Sequence, residues 1–387
     1  MADSVERFSD LAPTPTKSRK DLQGERLFTA SQWQLMWWRF TQHKLAVISM
    51  VVLIVAYLVA LFCEFVAPHD SNRYDPRWVW AAPMKLHFVD KAGRFQFPPF
   101  VYGLKSSRDM NTLAMVVVPD ESRTYPVRLF ARGDRYEMWG LFEWDRHLVG
   151  IESGDNQMLF LLGADELGRD NLSRIIYGAR ISLSIGLVGV AFSLFFGIIL
   201  GGISGYYGGV VDVVIQRLIE FLRSLPTIPL WLTLAAALPP TWSSIRIYFG
   251  ITIILSFIGW TGLARVVRGR FLALREEDFI LAARLANAPR LRIILRHMVP
   301  SFASHLIASL TLSIPGMIMS ETALSFLGLG LQPPIVSWGV LLQGAQNLRS
   351  VVLAPWLMLP GLFVVVVVLA FNFMGDGLRD AADPYAI

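Results

Sequence analysis

Six apolar stretches, each of about bilayer-spanning length, constrain this chain more than any other feature. Hydrocarbon roughly 30 Å thick is crossed at ~1.5 Å per residue, so a spanning helix takes about 20 mostly apolar residues. The stretches fall at residues 45–66, 181–203, 218–238, 247–267, 302–324 and 351–373, and prolines interrupt the third and the fifth. The composition agrees: 54% of the 387 residues are hydrophobic, 17% are charged and the mean hydropathy is +0.48, values unlike those of a soluble domain. An all-α polytopic membrane protein of six transmembrane helices is the expected fold.

The net charge of +5 and the pI of 9.4 follow from topology rather than from nucleic-acid binding. Lys and Arg mark the cytoplasmic side of a span. They gather before the first stretch (Arg7, Lys17, Arg19, Lys20, Arg26, Arg39, Lys44) and after the fourth (Arg268, Arg270, Arg275, Arg284, Arg290, Arg292, Arg296). Six crossings place these two segments and the C-terminus on one side, so both termini are expected in the cytoplasm.

Residues 67–160, between the first and second stretches, have an ordinary soluble composition, with twelve basic and twelve acidic residues between Asp70 and Asp155. Loops of that length translocate largely regardless of charge, and topology puts this one outside. β-formers cluster at His87-Phe88-Val89 and at residues 114–118, 125–130 and 136–142, between Gly, Pro and Asp punctuation. A small β-rich extracytoplasmic insert is expected, with Trp78, Trp80, Phe95, Phe97, Phe100, Tyr102, Trp139 and Trp144 as core. The chain's one cysteine, Cys63, lies within the first stretch, so the insert holds no thiol.

Residues 1–26 are polar and read as disordered, whereas residues 27–40 carry Trp33, Trp37 and Trp38 beside Arg39, as in a helix at headgroup level. The expected organisation is therefore an N-terminal tail and interfacial helix (1–44), a first span (45–66), the insert (67–160), a membrane core (161–374) containing a basic loop (270–300), and a C-terminal tail (375–387).

Enzyme chemistry has no foothold. A phosphate-binding loop needs Gly-x-x-x-x-Gly-Lys-Ser/Thr, but the last lysine is Lys105 and no lysine follows the required glycines. The six histidines are scattered without ligand spacing and no cysteines pair, so no metal or other cofactor is expected on this chain. In the second stretch Gly197, Gly201, Gly205 and Gly209 recur at every fourth position, a stripe that lets another helix approach closely. Glu220 sits one helical turn from Arg217 and Arg223, which reads as a structural ion pair. Asp376, Arg379 and Asp380 read as packing near the C-terminus.

The most informative segment runs from Arg275 to Pro300. Asp278 can cap a short helix whose small face is Ala282, Ala283 and Ala286, and Asn287 can end it by adopting the left-handed conformation. A second, basic helix is expected from about Arg290 to Met298. A merely solvated basic loop would account for the arginines but not for the alanines, the cap and the stop.

This segment resembles the EAA loop of bacterial ABC importer permeases, in the C-type subunit of the oligopeptide, dipeptide and nickel permease family. Further motifs carry the resemblance over residues 161–384: Gly163-Ala-Asp-Glu-Leu-Gly-Arg-Asp170, Tyr177-Gly-Ala-Arg-Ile-Ser182, Gly205-Tyr-Tyr-Gly-Gly209 with Asp212, Arg296-His-Met-Val-Pro300, Glu321-Thr-Ala-Leu-Ser-Phe-Leu-Gly-Leu-Gly330, Trp338-Gly339, Gly375-Asp-Gly-Leu-Arg-Asp380 and Asp383-Pro384. Four positions depart from the pattern. Leu281 stands where the loop's glutamate would be, Asn287 replaces its glycine, Val299 replaces the leucine before Pro300, and Ala164 replaces a threonine.

The resemblance implies a type I importer fold in the bacterial inner membrane. It implies a second homologous permease subunit, two ATPase subunits that hold the ATP and Mg, and a periplasmic substrate-binding protein. Peptides or similar small solutes are the implied cargo, with oligosaccharide, opine and nickel importers in the same family. Asp278, Leu281, Ala282, Ala283, Arg284, Asn287 and Pro300 are the implied ATPase-coupling residues.

Glu321 lies towards the outer end of the fifth stretch, where a carboxylate is costly unless paired or facing water. Pro315-Gly316 lies mid-membrane, where freed backbone groups must be satisfied by protein or by cavity water. These three are the candidates for the translocation pathway. A self-contained channel or secondary transporter is the alternative, and it would need an internal repeat or a titratable relay. An exporter or receptor would leave the 278–300 pattern unexplained.

Overall fold

The computed structural model describes residues 31–90, 93–108, 115–152, 157–239 and 241–382. The tail at residues 1–26, the strand expected to begin at Ala114 and the Asp383-Pro384 motif therefore fall wholly or partly outside the described residues.

The chain opens with α1 (Gln32–Gln42), capped by a reciprocal pair in which Gln34 N–H donates to Ser31 Oγ at 3.4 Å and Ser31 N–H donates to the Gln34 side chain at 3.0 Å. Its Trp33, Trp37 and Trp38 are exposed while Phe40 is buried against Ala46 and Ala381, an amphipathic arrangement suited to a membrane interface. Among the described residues, five helices are long and apolar enough to cross a membrane, and a bent pair brings the number to six if it counts as one span. They are α2 (Lys44–Leu61), α3 (Asn171–Tyr207), the pair α4 (Gly209–Ser224) and α5 (Thr227–Ala236), α6 (Ser244–Leu274), α8 (Ala303–Phe326) and α10 (Leu359–Ala382). Between α6 and α8 lies α7 (Asp278–Leu285), and α9 (Trp338–Gly344) follows α8.

Three expectations change. The stretch at 218–238 is not one helix: it breaks at Leu225-Pro226 and turns by 83°. Proline disfavours the helical conformation of the residue before it, and Leu225 is accordingly extended. The last span begins at Leu359 rather than near 351, because Ala354 and Pro355 end a separate short helix, Leu348–Leu353. The second span is longer than hydropathy alone indicates, 37 residues, since Asp170 caps it well before the apolar run by accepting from Ser173 N–H at 2.8 Å. Pro315, by contrast, lies within α8 without dividing it.

Glycines of the stripe seat α6 on α3. A Cβ on Gly197 would meet Leu263, one on Gly201 would collide with the Ala264 carbonyl oxygen, and one on Gly205 would meet Phe271 and the Arg268 carbonyl. Gly209 does not share this role; it starts α4 with φ +56° and a Cβ there would meet nothing.

Between α2 and α3 the chain forms a four-stranded antiparallel sheet in the order β1 (His87–Val89), β2 (Phe95–Arg108), β3 (Met115–Met138) and β4 (Phe142–Ile151). β2 and β4 are absent from the sequence reading. Pro98, Pro99 and Gly103 interrupt the strand signal of the first. In the second, the aromatic run at 136–142 reads as one strand, whereas residues 139–141 turn between two. The insert's aromatics divide as well: Trp78 and Phe100 are core, but Phe95 and Phe97 are exposed. Trp139 and Trp144 pack on the end of the first span, where Trp139 Nε1 donates to the Leu61 carbonyl at 2.8 Å and Trp144 stacks on Phe65.

Asp134 fixes the same junction. Its carboxylate accepts from Arg73 at 2.5 Å and from Asp70 N–H at 3.3 Å, and lies 3.6 Å from His69. Burial pushes the Asp134 carboxyl up, but the neighbouring His69 ring, the Arg73 charge and the Asp70 amide outweigh it and hold it at about 2. A carboxyl depressed on folding stabilises above its unfolded value and loses that contribution as pH falls towards the folded value. The melting temperature of the purified protein should therefore drop between about pH 4 and pH 2 by an amount worth roughly 1 kcal/mol after solvent screening, and Asp134→Asn should remove that part of the dependence. Identical acid profiles for the two proteins would refute the assignment.

Candidate functional site

The segment after α6 is built from one short helix and one apolar plug. Ile280 of α7 is fully buried against Val267 and Phe271 of α6, Ile293 and Met298 of the following basic helix, and Phe302 and Leu306 at the start of α8. That single anchor ties α7 to the ends of two spans. A third joins through cation–π contacts: the Arg284 guanidinium lies 5.2 Å from the Tyr206 ring and that of Arg290 lies 5.4 Å from the Tyr207 ring, both at the end of α3.

α7 stops as its sequence implies. Asn287 takes φ +52°, its N–H donates to the Arg284 carbonyl at 2.9 Å, and Ala288 N–H reaches back to the Ala283 carbonyl at 3.1 Å. These two bonds form a Schellman motif, which asparagine tolerates in place of glycine. The start differs from expectation. Glu277 is the capping position and no side-chain hydrogen bond caps the helix, while Asp278 is its first residue. There the carboxylate complements the positive helix terminus without bonding to it.

The small face divides too. Ala283 is half-buried against the Ile280 cluster, whereas Phe279, Leu281, Ala282, Leu285 and Ala286 are exposed, Leu285 at 89%. Beyond the stop, residues 290–301 form one continuous but irregular helix with a π turn at Ile293–Met298, and Leu291 and Leu295 are exposed on it. Pro300 lies in its last turn and is exposed. The surface offered is apolar and ringed by arginines, and among the described residues nothing covers it.

Behind this surface a polar tie joins three helices. Arg268 of α6 grips Asp212 of α4 through Nε and Nη2, at 2.5 and 2.6 Å, and Ser204 of α3 donates to the same carboxylate at 2.5 Å. The sequence reading singled out Asp212 but not Arg268, which is one of many arginines there; only the fold shows which one turns inward. Arg217 and Glu220 pair at 2.8 Å, both exposed, so the pair contributes little.

Glu321 is fully buried and holds three serines. Ser337 donates to it at 2.7 Å, Ser325 at 2.8 Å and Ser182 at 3.3 Å. Each serine oxygen also accepts a backbone N–H, from Val340, Leu331 and Trp338 respectively, while Trp338 Nε1 donates to the Ile175 carbonyl at 3.1 Å. One carboxylate thus pins the Tyr177–Ser182, Glu321–Gly330 and Trp338-Gly339 motifs together. The Gly163–Asp170 motif is fastened separately: Asp165 is gripped by Arg174 and by Arg169 at 2.7 Å, and Trp356 Nε1 donates to the Ala164 carbonyl at 2.9 Å.

Gly316 and Pro315 part company. Pro315 is buried in the helix packing, whereas Gly316 lines an open groove of about 510 Å³ bordered by α3, α5, α6 and α8. Glu321 is not among the residues lining that groove.

Known proteins match this arrangement along much of the chain. Residues 195–386 match the family described as binding-protein-dependent transport system inner membrane component, and residues 31–83 match the N-terminal TM domain of oligopeptide transport permease C. A dipeptide transport system permease protein of Bacillus subtilis is 38% identical over 57% of this chain and 68% of its own length. An oligopeptide transport system permease protein of Haemophilus influenzae is 42% identical over 57% of this chain and 69% of its own. A dipeptide transport system permease protein of Lactococcus lactis is 31% identical but spans 92% of this chain and 91% of its own, including the insert region.

Proposed function

The chain belongs to the family of binding-protein-dependent transport system inner membrane components, and on that premise we propose that it is the permease subunit through which an ABC importer moves peptides inward by ATP-driven alternating access. The observation that carries the mechanism is α7, a helix whose one fully buried side chain is Ile280 and which exposes Leu281, Ala282 and Leu285.

ATP and Mg belong to two partner ATPase subunits, since the chain has no phosphate-binding loop of its own. Their closure bears on the exposed face of α7. Ile280 passes that displacement to α6 and the start of α8, while Arg284 passes it to the end of α3 through Tyr206. Because the Arg268, Asp212 and Ser204 tie joins the ends of α6 and α3 to α4, these three move as one body. Counting the bent pair as a span gives six crossings, which with the clustered arginines puts both termini and α7 in the cytoplasm and the sheet outside.

A second, related permease completes the pathway, and an external binding protein delivers cargo. The relatives named for dipeptide and oligopeptide transport favour peptides over nickel, oligosaccharides or opines. Against a secondary transporter stands Glu321, wrapped by serines with no surface exposed to a proton path. The reading is tested on the reconstituted complex with its binding protein. Peptide-loaded binding protein should raise ATPase turnover several-fold, whereas nickel, an oligosaccharide or an opine should not; stimulation by one of those and not by peptide would overturn it.

A further inference from the structure

We propose that the groove bordered by α3, α5, α6 and α8 is a binding site for the main chain of the peptide, recognising its amides and ignoring its side-chain charges; this rests on the importer reading above. The groove measures about 510 Å³, and none of its lining residues is charged.

Its polar atoms are few and placed. Ser309, Ser313, Gly316 and Ser320 all line it from α8, at spacings of four, three and four residues that keep them on one helix face. The hydroxyls of Ser313 and Ser320 donate to the Ser309 and Gly316 carbonyls at 2.8 and 2.7 Å, which leaves their oxygens able to accept.

Two further groups have no partner at all among the described residues. Ser193 Oγ, on a side chain only 6% exposed, and Trp231 Nε1 are both buried, belong to residues that line the groove and make no hydrogen bond. A buried donor left unmade costs about 1–3 kcal/mol, so two at one groove mark a place where a ligand completes them. Gly259 lies close against the first, since a Cβ there would lie 2.7 Å from Ser193 Oγ.

A donor at Trp231, a donor and acceptor at Ser193 and acceptors at Ser313 and Ser320 match the alternating N–H and C=O groups of an extended peptide. A metal ion would find no carboxylate, imidazole or thiolate among the lining residues. A charged cargo recognised by its charge would find no counter-ion there. Peptides of any sequence share the one feature this lining can read.

The test uses the whole complex in liposomes, with its ATPases and binding protein, and three labelled peptides of equal length that are neutral, acidic and basic. The double variant Ser193→Ala with Trp231→Phe removes both orphan groups and keeps an aromatic ring at position 231. Uptake of all three peptides should fall by the same factor, about tenfold for two lost hydrogen bonds. Peptide affinity of the binding protein and its stimulation of ATPase turnover should not change.

Gly316→Leu puts a bulky apolar side chain into the groove from a position where a Cβ meets nothing within 4 Å, and should stop uptake of all three. As a direct readout, Gly316→Cys on this chain, whose native Cys63 is buried, should react with a water-soluble methanethiosulfonate more slowly while peptide is being transported. Unchanged uptake in the double variant, or losses that differ with peptide charge, would overturn the proposal. Failure of the wild-type complex to take up any peptide would overturn the importer reading together with it, so the two failures are told apart by the wild-type control.

Discussion

Leu285→Glu is expected to abolish uptake while the permease still folds and inserts. Leu285 is 89% exposed at the end of α7, so a carboxylate there has water around it in the free chain and costs the fold little. On the proposed coupling role, an ATPase covers the same position in the complex. An unpaired charge trapped in an apolar contact costs about 3–5 kcal/mol, which weakens association some hundredfold or more. Co-purification of the ATPases with the tagged permease should be lost together with uptake, and peptide binding by the external protein should not change. Ala282→Arg should act in the same way.

Ala283 is the poorer probe, although sequence alone nominates it equally. It is half-buried against the Ile280 cluster, so a bulky charged residue would disturb the fold as well as the contact. Normal uptake and ATPase retention in both Leu285→Glu and Ala282→Arg would remove the coupling role from α7.

Glu321→Ala is expected to destabilise the permease itself. The substitution takes the shared acceptor from Ser182, Ser325 and Ser337 in a site with no water contact, and it opens a cavity. Unsatisfied buried groups cost about 1–3 kcal/mol each, and hydroxyl rotation recovers part, so the loss should be on the order of 3 kcal/mol. The purified protein should melt several degrees lower and accumulate poorly in the membrane. Glu321→Gln keeps one carbonyl acceptor for two of the serines and should be intermediate in stability and still transport. A glutamine variant with wild-type stability and no transport would instead make the carboxylate part of the pathway.

The spans were legible because burying a backbone in hydrocarbon demands a long apolar run, a property of consecutive residues. The third was read in its extent and its proline interruption but not in its bend, since hydropathy ignores direction and the 83° turn at Leu225-Pro226 leaves the apolar count unchanged. The stop of α7 at Asn287 was legible because a left-handed cap is a local conformational demand. Its first turn was misjudged by one position, as Glu277 and Asp278 are both acidic and neither bonds to the helix end.

The Glu321 network and the Asp212–Arg268 tie were out of reach for another reason. Ser182 and Glu321 lie 139 residues apart, as Asp212 and Arg268 lie 56 apart, and nothing in a serine or an arginine marks it as the partner. The strands β2 and β4 failed because prolines, glycines and turn aromatics look alike in a strand and at its end.

The most direct measurement is peptide accumulation in liposomes holding this chain, with and without its partner permease and the two ATPases, in the presence of the loaded binding protein. The complete complex should accumulate peptide only with ATP and Mg, and liposomes with this chain alone should accumulate none. Uptake by the chain alone, driven by an ion gradient or by none, would contradict a permease that receives its energy through α7.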